Sequence, residues 1–428
     1  MPQSGLRFAM ITTFFPPYHF GGDAEYVRQL SETLAQYGHE VDVIHDIDAY
    51  NILSSQPEPK PIDLPSGVNI YGMKSRWPRL SCLATQQLAR PVVHGARIRK
   101  ILNERKPDII HFHNVSLIGG PGVLAYGGGI KIFTAHEHWL VCPTHVLWRN
   151  NKELCDERHC LKCTLTYRRP PQLWRNTEYL KRKVAHVDQF CSPSKFSADM
   201  HKKLGFEPEM KVLPSFLPDN DVQAKPPKPS EYQGRPYFLF VGRLEKIKGV
   251  QDIIPTFRDF HDAQLWIVGT GAYEPVLRKL AGDSKNIFFF GKRKSQKLRS
   301  FYAHAMAVLL PSICYEVFPL VVIEAFREGV PIISRELGPY PEITRKSGGG
   351  LLFNSEDELQ EAVKFMVNDS SARKDMGESA RKSYVSYWSE KAGMQAYFSM
   401  IAKIAERRER SKVLDVLDRC DEFGRLNC

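Results

Sequence analysis

Two glutamates, Glu316 and Glu324, stand eight positions apart and flank the apolar segment 317–323. If a helix begins near Pro319, its unpaired backbone amides can hold a phosphate group. Glu324 then lies about one and a half turns into that helix, and Glu316 lies in the loop before it. A glutamate within an otherwise apolar helix needs a partner or solvent. One carboxylate can accept hydrogen bonds from ribose hydroxyls and the other from sugar hydroxyls, although Glu316 could also be a simple helix cap.

A basic turn, 242–249, follows the strand-like segment 237–241 and carries Arg243 and Lys248. Two fixed cations at a strand end can neutralise a diphosphate without a metal ion. A solvated basic turn is an equally common outcome for such a sequence. This turn alone does not decide between the two interpretations.

A glycine pair, Gly21 and Gly22, lies in the loop that leads from the first predicted strand into a helix. Paired glycines at such a position let backbone amides approach an anionic group at the helix N-terminus. The same residues could serve only to make the turn. Asp23 is the predicted cap of this helix, which has apolar residues at helical spacing and ends at Gly38.

Four histidines accompany two neighbouring predicted strands: His111, His113, His136 and His138. A single histidine of this kind is more often packed or solvated than catalytic. Four of them at adjacent strand ends favour a functional role for one, because these ends lie along one edge of a parallel sheet.

Strand and helix signals alternate along the chain, which predicts an α/β fold with parallel sheets covered on both faces. A break rich in proline and lysine, 224–230, divides this alternation into two parts. The predicted strands are 6–14, 41–44, 109–112, 130–133 and 190–191 before the break, and 237–241, 265–268, 287–290, 307–310 and 332–334 after it. Two doubly wound domains are the simplest interpretation. Ligands of such sheets bind at the carboxyl ends of the strands, so we expect the site in a cleft between the domains.

The order and spacing of these segments resemble glycosyltransferase family 4, the retaining nucleotide-sugar enzymes of GT-B fold. The strongest match is the Glu-x7-Glu motif of Glu316 and Glu324, with Phe-Pro-Leu inside it. The segments 242–249 and 21–22 add to it, and the resemblance runs from about residue 6 to about residue 400. It implies two Rossmann-like doubly wound domains facing across a cleft, with a C-terminal helix that crosses back to the N-terminal domain.

The resemblance also implies how the chain is divided. The implied parts are an acceptor-binding domain 1–222 with a cysteine-bearing insertion at about 140–171, a Pro-rich linker 223–236, a nucleotide-sugar-binding domain 237–388, the crossing helix 389–410 and a charged tail 411–428.

Individual residues receive roles from the same resemblance. Arg243 and Lys248 would bind the donor diphosphate, and Glu324 would bind the ribose. Glu316 would contact the transferred sugar and stabilise the positive charge that develops on it. His136 matches a family histidine near the sugar and the acceptor, so it joins Glu316 as a predicted catalytic residue.

The remaining implied contacts come from backbone and loops. The sugar and phosphate pocket would be completed by amides of Gly21, Gly22, Phe318 and Leu320, and the loop 290–293 with Arg293 would lie against the nucleobase.

The implied reaction moves a sugar from a nucleoside diphosphate sugar to an acceptor hydroxyl, with retention at the anomeric carbon and no required cofactor. Fixed cations and helix amides would absorb the charge of the leaving group, and Glu316 is not a general acid of the glycosidase kind. A lipid-linked or saccharide acceptor in bacterial surface polysaccharide or glycolipid synthesis is expected. The alternatives are a nucleotide-sugar epimerase of the same fold, a phosphorylase that uses inorganic phosphate, and a non-catalytic nucleotide-sugar-binding protein.

Two other motifs receive no catalytic role. Asp46-Ile47-Asp48 has the form of a metal-binding Asp-x-Asp, but it ends a predicted strand and the cation pair already serves the diphosphate. Gly269-Thr270-Gly271 has only part of a dinucleotide fingerprint and is better explained as a strand-to-helix turn. We therefore predict no catalytic metal and no NAD.

Four cysteines, Cys142, Cys155, Cys160 and Cys163, lie where the resemblance is weakest. The last two form a C-x2-C pair, and the four together could supply thiolate ligands for a structural Zn²⁺. The alternative is a surface loop with reduced thiols. A metal there would lie beside the acceptor face and would shape acceptor choice, not the sugar chemistry.

The net charge of +11 favours anionic partners without choosing among them. Basic residues concentrate at 74–106 and 168–183, with Trp77, Trp174 and Tyr179 among them. We expect this face to contact anionic lipid, with a solvated helix face as the alternative, and no nucleic-acid motif accompanies the charge. No apolar stretch approaches the ~20 residues of a membrane helix, and a signal peptide is not evident. A cytoplasmic protein, peripheral on the inner face of the cytoplasmic membrane, is therefore expected.

Overall fold

A computed structural model describes residues 5–54, 57–218, 225–258 and 260–426. The chain divides into two compact units: unit 1, Met1–Pro218 with Lys391–Cys428, and unit 2, Asp219–Glu390. Residues 223 and 224 of the predicted linker and 427 and 428 of the predicted tail lie outside the described residues.

In the described residues, unit 1 holds a seven-stranded parallel sheet and a two-stranded hairpin. The strands of the sheet are mostly buried apolar runs, as expected where helices cover both faces. In chain order they are β1 (Arg7–Ile11), β2 (Glu40–Asp46), β3 (Val68–Met73), β4 (Ile109–Phe112), β5 (Ile130–Thr134), β6 (Trp148–Arg149), β7 (Glu153–Leu154), β8 (Gln189–Ser192) and β9 (Met210–Val212). The sheet order is β3-β2-β1-β4-β5-β8-β9, and β6 pairs with β7 as the hairpin.

Helices alternate with these strands. The first, α1 (Gly22–Gln36), begins two residues earlier than predicted, because the extended backbone of Gly21 forms its N-cap without a side-chain hydrogen bond. The prediction that Asp23 caps it is therefore wrong; Asp23 lies in the first turn, where its charge favours the helix dipole. The helices that follow are α2 (Ile47–Leu53), α3 (Pro78–Leu88), α4 (Gly95–Arg105), α5 (Cys160–Thr166), α6 (Tyr179–Val184) and α7 (Lys195–Lys203).

Unit 2 is built on a six-stranded parallel sheet, counted over its described residues. Its strands are β10 (Tyr237–Val241), β11 (Gln264–Val268), β12 (Ile287–Gly291), β13 (Val308–Leu310), β14 (Ile332–Arg335) and β15 (Gly350–Phe353). Its helices are α8 (Val250–Arg258), α9 (Glu274–Ala281), α10 (Ser295–Ala303), α11 (Leu320–Arg327), α12 (Tyr340–Ser347), α13 (Glu356–Asn368) and α14 (Ser370–Ser383). The sheet order is β12-β11-β10-β13-β14-β15.

The chain ends in unit 1, as predicted for the crossing helix. The helix α15 (Glu390–Arg407) buries Tyr397 and Ile401 in the core that β1 and α1 form. The segment after residue 410, expected as a charged tail, contains a further helix, α16 (Ser411–Leu417), which buries Val413 and Val416 in the same core. Although α15 has 18 residues, no helix in the described part of the chain has both the length and the hydropathy that crossing a bilayer needs.

Val416→Asp should destabilise unit 1 by about 3 kcal/mol or more, because it places an unpaired charge in this core. We expect amide hydrogen exchange to show lost protection in β1 and α15 and unchanged protection in β10. The neighbouring exposed residue provides the control, since Asp415→Ala should change stability by less than about 0.5 kcal/mol. Wild-type protection throughout Val416→Asp would contradict the packing of α16.

Candidate active site

The loops that carry most of the predicted site begin at the switch point of the unit 2 sheet. From β10 the chain continues to β11 and β12 on one side, whereas β13 begins the half on the other side. Neighbouring strands with such a reversal leave a crevice at their carboxyl ends, where ligands of doubly wound sheets bind. Loop 242–249 follows β10 and loop 311–319 follows β13, so both begin at this crevice.

A glycine allows these two loops to touch. Gly249 has a φ of +73°, and a Cβ atom there would lie only 1.9 Å from the carbonyl oxygen of Pro311. The amide of Ile313 donates to the carbonyl oxygen of Ile247 at 2.9 Å. Both the left-handed backbone and the short contact exclude a side chain at position 249, so another residue would push the loops apart.

The Gly269-Thr270-Gly271 segment packs against the first of these loops. A Cβ atom at Gly269 would lie 1.8 Å from the carbonyl oxygen of Gly242, and one at Gly271 would lie 2.3 Å from that of Leu244. This close packing between β11 and α9 explains both glycines as turn residues.

An ion pair joins the two loops through Lys248 and Glu316. Lys248 Nζ lies 2.7 Å from Glu316 Oε1, and their side chains are only 20% and 16% exposed. The hydroxyl of Ser312 donates to the same oxygen at 2.8 Å. Burial by itself would raise the pKa of Glu316, but Lys248 and these hydrogen bonds outweigh burial and hold that pKa below its usual value. The pKa of Lys248 is raised, because Glu316 outweighs the lowering effect of burial. Both groups are therefore charged at neutral pH.

The second predicted cation, Arg243, is placed differently. Its side chain is 54% exposed, and Nη1 donates to Glu245 of the same loop at 2.7 Å. The charge of Arg243 also lowers the pKa of Glu316, although less than Lys248 and Ser312 do. Arg243 thus lies within electrostatic range of the buried pair but remains accessible at the same strand end.

Helix α11 begins where the sequence predicts, with Pro319 as its N-cap and Leu320 as its first residue. Glu324 therefore lies in its second turn, and Glu324 Oε2 accepts a hydrogen bond from the hydroxyl of Tyr302 at 2.5 Å. Burial raises the pKa of Tyr302 well above its usual value, and the charge of Glu324 adds to that rise. The phenol therefore remains the donor, and it fixes the orientation of the Glu324 carboxylate.

The other predicted donor residues of unit 2 are Phe318 and Arg293. The ring of Phe318 lies 6.3 Å from that of Trp388. Arg293 forms an ion pair with Glu231 at 3.4 Å and lies 5.9 Å from the centroid of the Phe290 ring. These contacts hold the guanidinium, with a 30% exposed side chain, beside the end of β12.

In unit 1 the chain order reverses between β1 and β4, and the glycine pair lies beside that point. Gly21 ends the loop after β1 and Gly22 begins α1. A ring nitrogen of His19, Nδ1, lies 3.3 Å from the carbonyl oxygen of Gly21. The glycine pair is thus the entry to α1, whose first amides point away from the helix at this end.

Two of the four predicted histidines belong to the core of unit 1. His111 lies within β4, and its ring bonds to the hydroxyls of Thr134 and Tyr397 at 2.8 and 3.0 Å. His138 is 1% exposed, with its ring 5.3 Å from that of His201. These two are therefore core residues, and they are not candidates for the functional role that the sequence predicts for one of the four. Helix α15, from the far end of the chain, covers His111 with Tyr397.

His113 and His136 form a stacked pair beyond the ends of β4 and β5. Their rings lie 5.2 Å apart, and His113 Nδ1 lies 3.0 Å from His136 Nε2. Burial lowers the pKa of His136 to about 4, although the charge of Asp23 opposes this. Burial, with the neighbouring rings of His111 and His136, also holds the pKa of His113 well below its usual value. Both rings are therefore neutral at pH 7, and His136 is the one of the four that is partly exposed.

The Asp-x-Asp motif lies at the start of α2. Asp46 Oδ1 caps this helix by accepting from the amide of Ala49 at 3.0 Å. Asp48 Oδ2 accepts from the hydroxyl of Ser75 at 2.5 Å and lies 3.0 Å from Nε2 of His94. Within the described ranges, Asp46, Asp48 and His94 place their ligand-type atoms within 4.8 Å of one another. These hydrogen bonds connect α2, the start of α4 and the segment after β3, which explains why the three side chains lie close together.

The four cysteines of the insertion line one small cavity. Cys142 lies after β5, Cys155 after β7, and Cys160 and Cys163 lie on α5. All four are free thiols. Burial raises the pKa of Cys155 to about 11, and the thiols of the other three add to the rise. The fold therefore gathers cysteines that the sequence separates by up to 21 positions.

The neutral buried histidines should make unit 1 sensitive to acid. The described histidines with a lowered pKa all lie in unit 1 and are His39, His45, His111, His113, His136, His138, His186 and His201. The unfolded chain protonates a histidine below about pH 6.5, but folded His136 does so only near its pKa of about 4. Folding free energy is therefore lost as the pH falls through this window, by up to about 1.4 kcal/mol per pH unit for each buried histidine.

Hydrogen exchange at pH 7 and pH 5, corrected for the intrinsic exchange rates, measures this effect in each unit separately. We expect β1, β4 and β5 to lose protection at pH 5 while β10 and β13 keep theirs. Equal behaviour of the two units would contradict the prediction.

Two family models match this chain. The model described as Glycosyltransferase Family 4 matches residues 20–219, and Glycosyl transferases group 1 matches residues 221–383. An uncharacterized glycosyltransferase of Methanocaldococcus jannaschii is 25% identical over 368 residues, which cover 81% of this chain and 84% of that protein. The glycogen synthase of Mycobacterium tuberculosis is 24% identical over 430 residues, covering 95% and 98%. The lipopolysaccharide core biosynthesis glycosyltransferase of Rhizobium meliloti is 27% identical over 215 residues, covering 48% and 61%.

Solved structures agree with these matches. Sucrose-phosphate synthase of Thermosynechococcus elongatus has a TM-score of 0.69 at 19% identity, covering 93% of this chain and all of that one. An Anabaena protein in complex with UDP-glucose has a TM-score of 0.61 at 16% identity, covering 95% and 100%. At these identities the likeness concerns the fold, and it confirms the predicted GT-B fold. Together with the family models, which match both units, it shows that this chain is a glycosyltransferase and belongs to glycosyltransferase family 4.

Proposed function

We propose that this glycosyltransferase moves a sugar from a nucleoside diphosphate sugar to an acceptor hydroxyl, with retention of configuration at the anomeric carbon. The ion pair of Lys248 and Glu316 at the switch point of unit 2 carries the proposal. The pair places a fixed cation in the loop after β10 and a fixed carboxylate in the loop after β13, and the second loop leads into α11. These groups match a donor whose leaving group is strongly negative and whose sugar becomes transiently positive.

The leaving diphosphate would be stabilised by the cations of loop 242–249. When the bond between the anomeric carbon and the β-phosphate oxygen breaks, the electron pair leaves with the diphosphate. Lys248, Arg243 and the amides of Phe318 and Leu320 would oppose that charge. Arg243 can exchange Glu245 for the diphosphate at small cost, because an exposed ion pair contributes only about 0–1 kcal/mol. We therefore propose a donor site that works without a divalent metal.

Glu316 would act as a carboxylate rather than as a proton donor. Lys248 and Ser312 hold its pKa below the usual value despite burial, so the group is ionised at neutral pH. A fixed negative charge beside the anomeric carbon would stabilise the positive charge that develops there. The same two contacts fix the position of the carboxylate before any substrate binds.

Glu324 would bind the ribose of the donor. Ribose presents neighbouring hydroxyl donors, and a carboxylate accepts from both more strongly than a neutral group. Tyr302 sets the rotation of this carboxylate, which lies on a partly exposed part of α11.

In unit 1, His136 would contact the transferred sugar and the acceptor. A nitrogen of a neutral imidazole can donate or accept, depending on the tautomer, so Nδ1 of His136 can meet a hydroxyl in either way. His113 engages Nε2 of His136 at 3.0 Å and so fixes the plane of the ring. The amides at Gly21 and Gly22 would add donors at the start of α1.

We propose a nucleoside diphosphate hexose as donor and a saccharide or lipid-linked acceptor, in the synthesis of a bacterial surface polysaccharide or glycolipid. The Anabaena neighbour that holds UDP-glucose supports the donor class, and the relative named for lipopolysaccharide core biosynthesis supports the acceptor class. A nucleotide-sugar epimerase or a non-catalytic binding protein would release no nucleotide in proportion to transferred sugar, so that release separates the alternatives.

Glu324→Gln should weaken nucleotide binding about tenfold, because it removes the charge from the hydrogen bonds to the ribose. Thermal unfolding with UDP, GDP, ADP and dTDP, each with EDTA present, first identifies the nucleotide; a hundredfold excess over its Kd should stabilise the protein by about 2.7 kcal/mol. Affinity is then compared among the wild type, Glu324→Gln and Glu361→Gln, an exposed control on α13.

Glu316→Gln should instead reduce turnover by about a hundredfold or more and change nucleotide affinity little.

Several results would contradict these assignments. Unchanged affinity in Glu324→Gln would remove the ribose role, and equal losses of affinity and turnover in Glu316→Gln would remove the role at the anomeric carbon. A protein stabilised by none of the four nucleotides would contradict the proposed donor class.

We further propose that unit 1 contacts an anionic membrane surface through α3. Four large apolar side chains on and beside this helix are at least half exposed, namely Trp77, Leu80, Leu83 and Leu88. The opposite side of the helix is buried through Ser81, Cys82 and Thr85. Exposed cations accompany the apolar residues at Lys74, Arg76, Arg79 and Arg90. Tryptophan and leucine flanked by arginine suit a membrane interface, and each basic residue near an anionic surface contributes about 1 kcal/mol.

Trp77→Ser combined with Leu80→Ser should lower binding to vesicles of phosphatidylglycerol and phosphatidylethanolamine at least about tenfold, because both side chains lose apolar burial in the interface. Co-sedimentation measures the bound fraction, and Val276→Ser, at an exposed valine of unit 2, is the control. Wild-type binding should weaken with added salt and with neutral lipid. No binding of the wild type at low salt, or equal loss in the control, would contradict the proposal.

A further inference from the structure

The insertion between β5 and β8 brings four thiols together from three separate pieces of chain. Cys142 comes from the turn after β5, Cys155 follows the β6–β7 hairpin, and Cys160 and Cys163 lie one turn apart on α5. All four line the same cavity. The cavity has a volume of about 10 Å³, which is about the space that one water or one ion needs.

The surroundings of these sulfurs are rich in hydrogen-bond donors. The backbone amide of Asn150 donates to Cys163 Sγ at 3.3 Å, and the hydroxyl of Thr144 lies 3.2 Å from Cys142 Sγ. Asn150 occupies the left-handed region, with a φ of +52°. A backbone amide aimed at a sulfur favours the thiolate over the thiol, as does a hydroxyl that donates to it.

A cation that lacks a full set of partners lies beside the thiols. The guanidinium of Arg175 lies against the rings of Trp139 and Trp174, 5.2 and 4.6 Å from their centroids. Its Nη2 atom is buried and has no hydrogen-bond partner. Cys142, Cys160 and Glu137 lie within electrostatic range of this guanidinium. A buried guanidinium needs negative charge nearby, and four neutral thiols do not provide it.

We propose that Cys142, Cys155, Cys160 and Cys163 bind one Zn²⁺ as a tetrahedral tetrathiolate site. Binding releases four protons to solvent and leaves a centre with a net charge of −2, formed from one dication and four thiolates. This charge would add to that of Glu137 as a counter-charge for Arg175. The ligands are separated by 12, 4 and 2 residues, so the last pair has the two-residue spacing found in zinc sites.

The metal would also draw the site together. In the described part of the chain, no three of these sulfurs lie within 4.8 Å of one another. Zinc–sulfur bonds of about 2.3 Å require sulfur–sulfur distances of about 3.8 Å in a tetrahedron. Zinc binding therefore requires the cysteine side chains to turn into the cavity, and the metal would then tie α5 and the hairpin to the turn at Cys142. The proposal does not depend on the nucleotide-sugar chemistry of unit 2.

The test is zinc content of the full-length protein, purified with a thiol reductant and without chelator and measured by inductively coupled plasma mass spectrometry. We expect about one zinc per chain in the wild type. Cys160→Ser combined with Cys163→Ser should reduce this to less than about a tenth. Cys82→Ser and Cys314→Ser, which change buried thiols elsewhere, should keep the wild-type content.

A second measurement needs no variant and so does not depend on the folding of one. Alkylation of the wild-type protein, mapped by mass spectrometry, should spare the four cysteines before chelation and modify them afterwards. Cobalt(II) added to the stripped protein should give the visible absorption of tetrahedral thiolate coordination. A wild type without zinc after expression with added zinc, four thiols equally reactive with and without chelator, or a mass showing two disulfides would each overturn the proposal.

Discussion

The buried ion pair of Lys248 and Glu316 is the interaction on which the strand end of unit 2 depends. Removing one partner of a buried pair leaves an uncompensated charge at a cost of about 3–5 kcal/mol, so the two loops that carry them are coupled. The coupling requires close approach, which Gly249 permits because no side chain intervenes before Pro311. Glycine at that position is thus a structural condition for the charge arrangement, and Ser312 completes it with a hydrogen bond to the same carboxylate oxygen.

Such a pair suits a reaction that separates charge more than one that transfers protons. The pKa of Glu316 is held low and that of Lys248 is held high, so both keep their charges across neutral pH. A departing diphosphate needs no proton at that pH, and a developing sugar cation needs only a nearby negative charge. Fixed charges that already hold each other in place reorganise little during the reaction, which is the condition for effective electrostatic stabilisation.

Predictions of helices and strands from the sequence were right where a local rule determines the structure. Pro319 marked the start of α11, and apolar runs marked most strands of both sheets. The prediction failed where the surroundings of a residue depend on a segment far away in the sequence. His111 became a core residue because Tyr397 lies against it from 286 positions away, and the apolar residues of α16 could not be assigned to unit 1 from their charged surroundings. The partner of Glu324, Tyr302, was missed for the same reason, since nothing local links a tyrosine on α10 to that carboxylate.

The two units present different kinds of polar side chain near their strand ends. Unit 2 presents charges that are fixed by burial and pairing, whereas unit 1 presents His136, which burial keeps neutral. A neutral ring can match a hydroxyl as donor or acceptor. His136 lies close to the insertion along the chain, because only five residues separate it from Cys142 and the amide of Cys142 donates to the carbonyl oxygen of His138 at 2.7 Å. A bond at the sulfur of Cys142 would therefore restrain the backbone that follows His136.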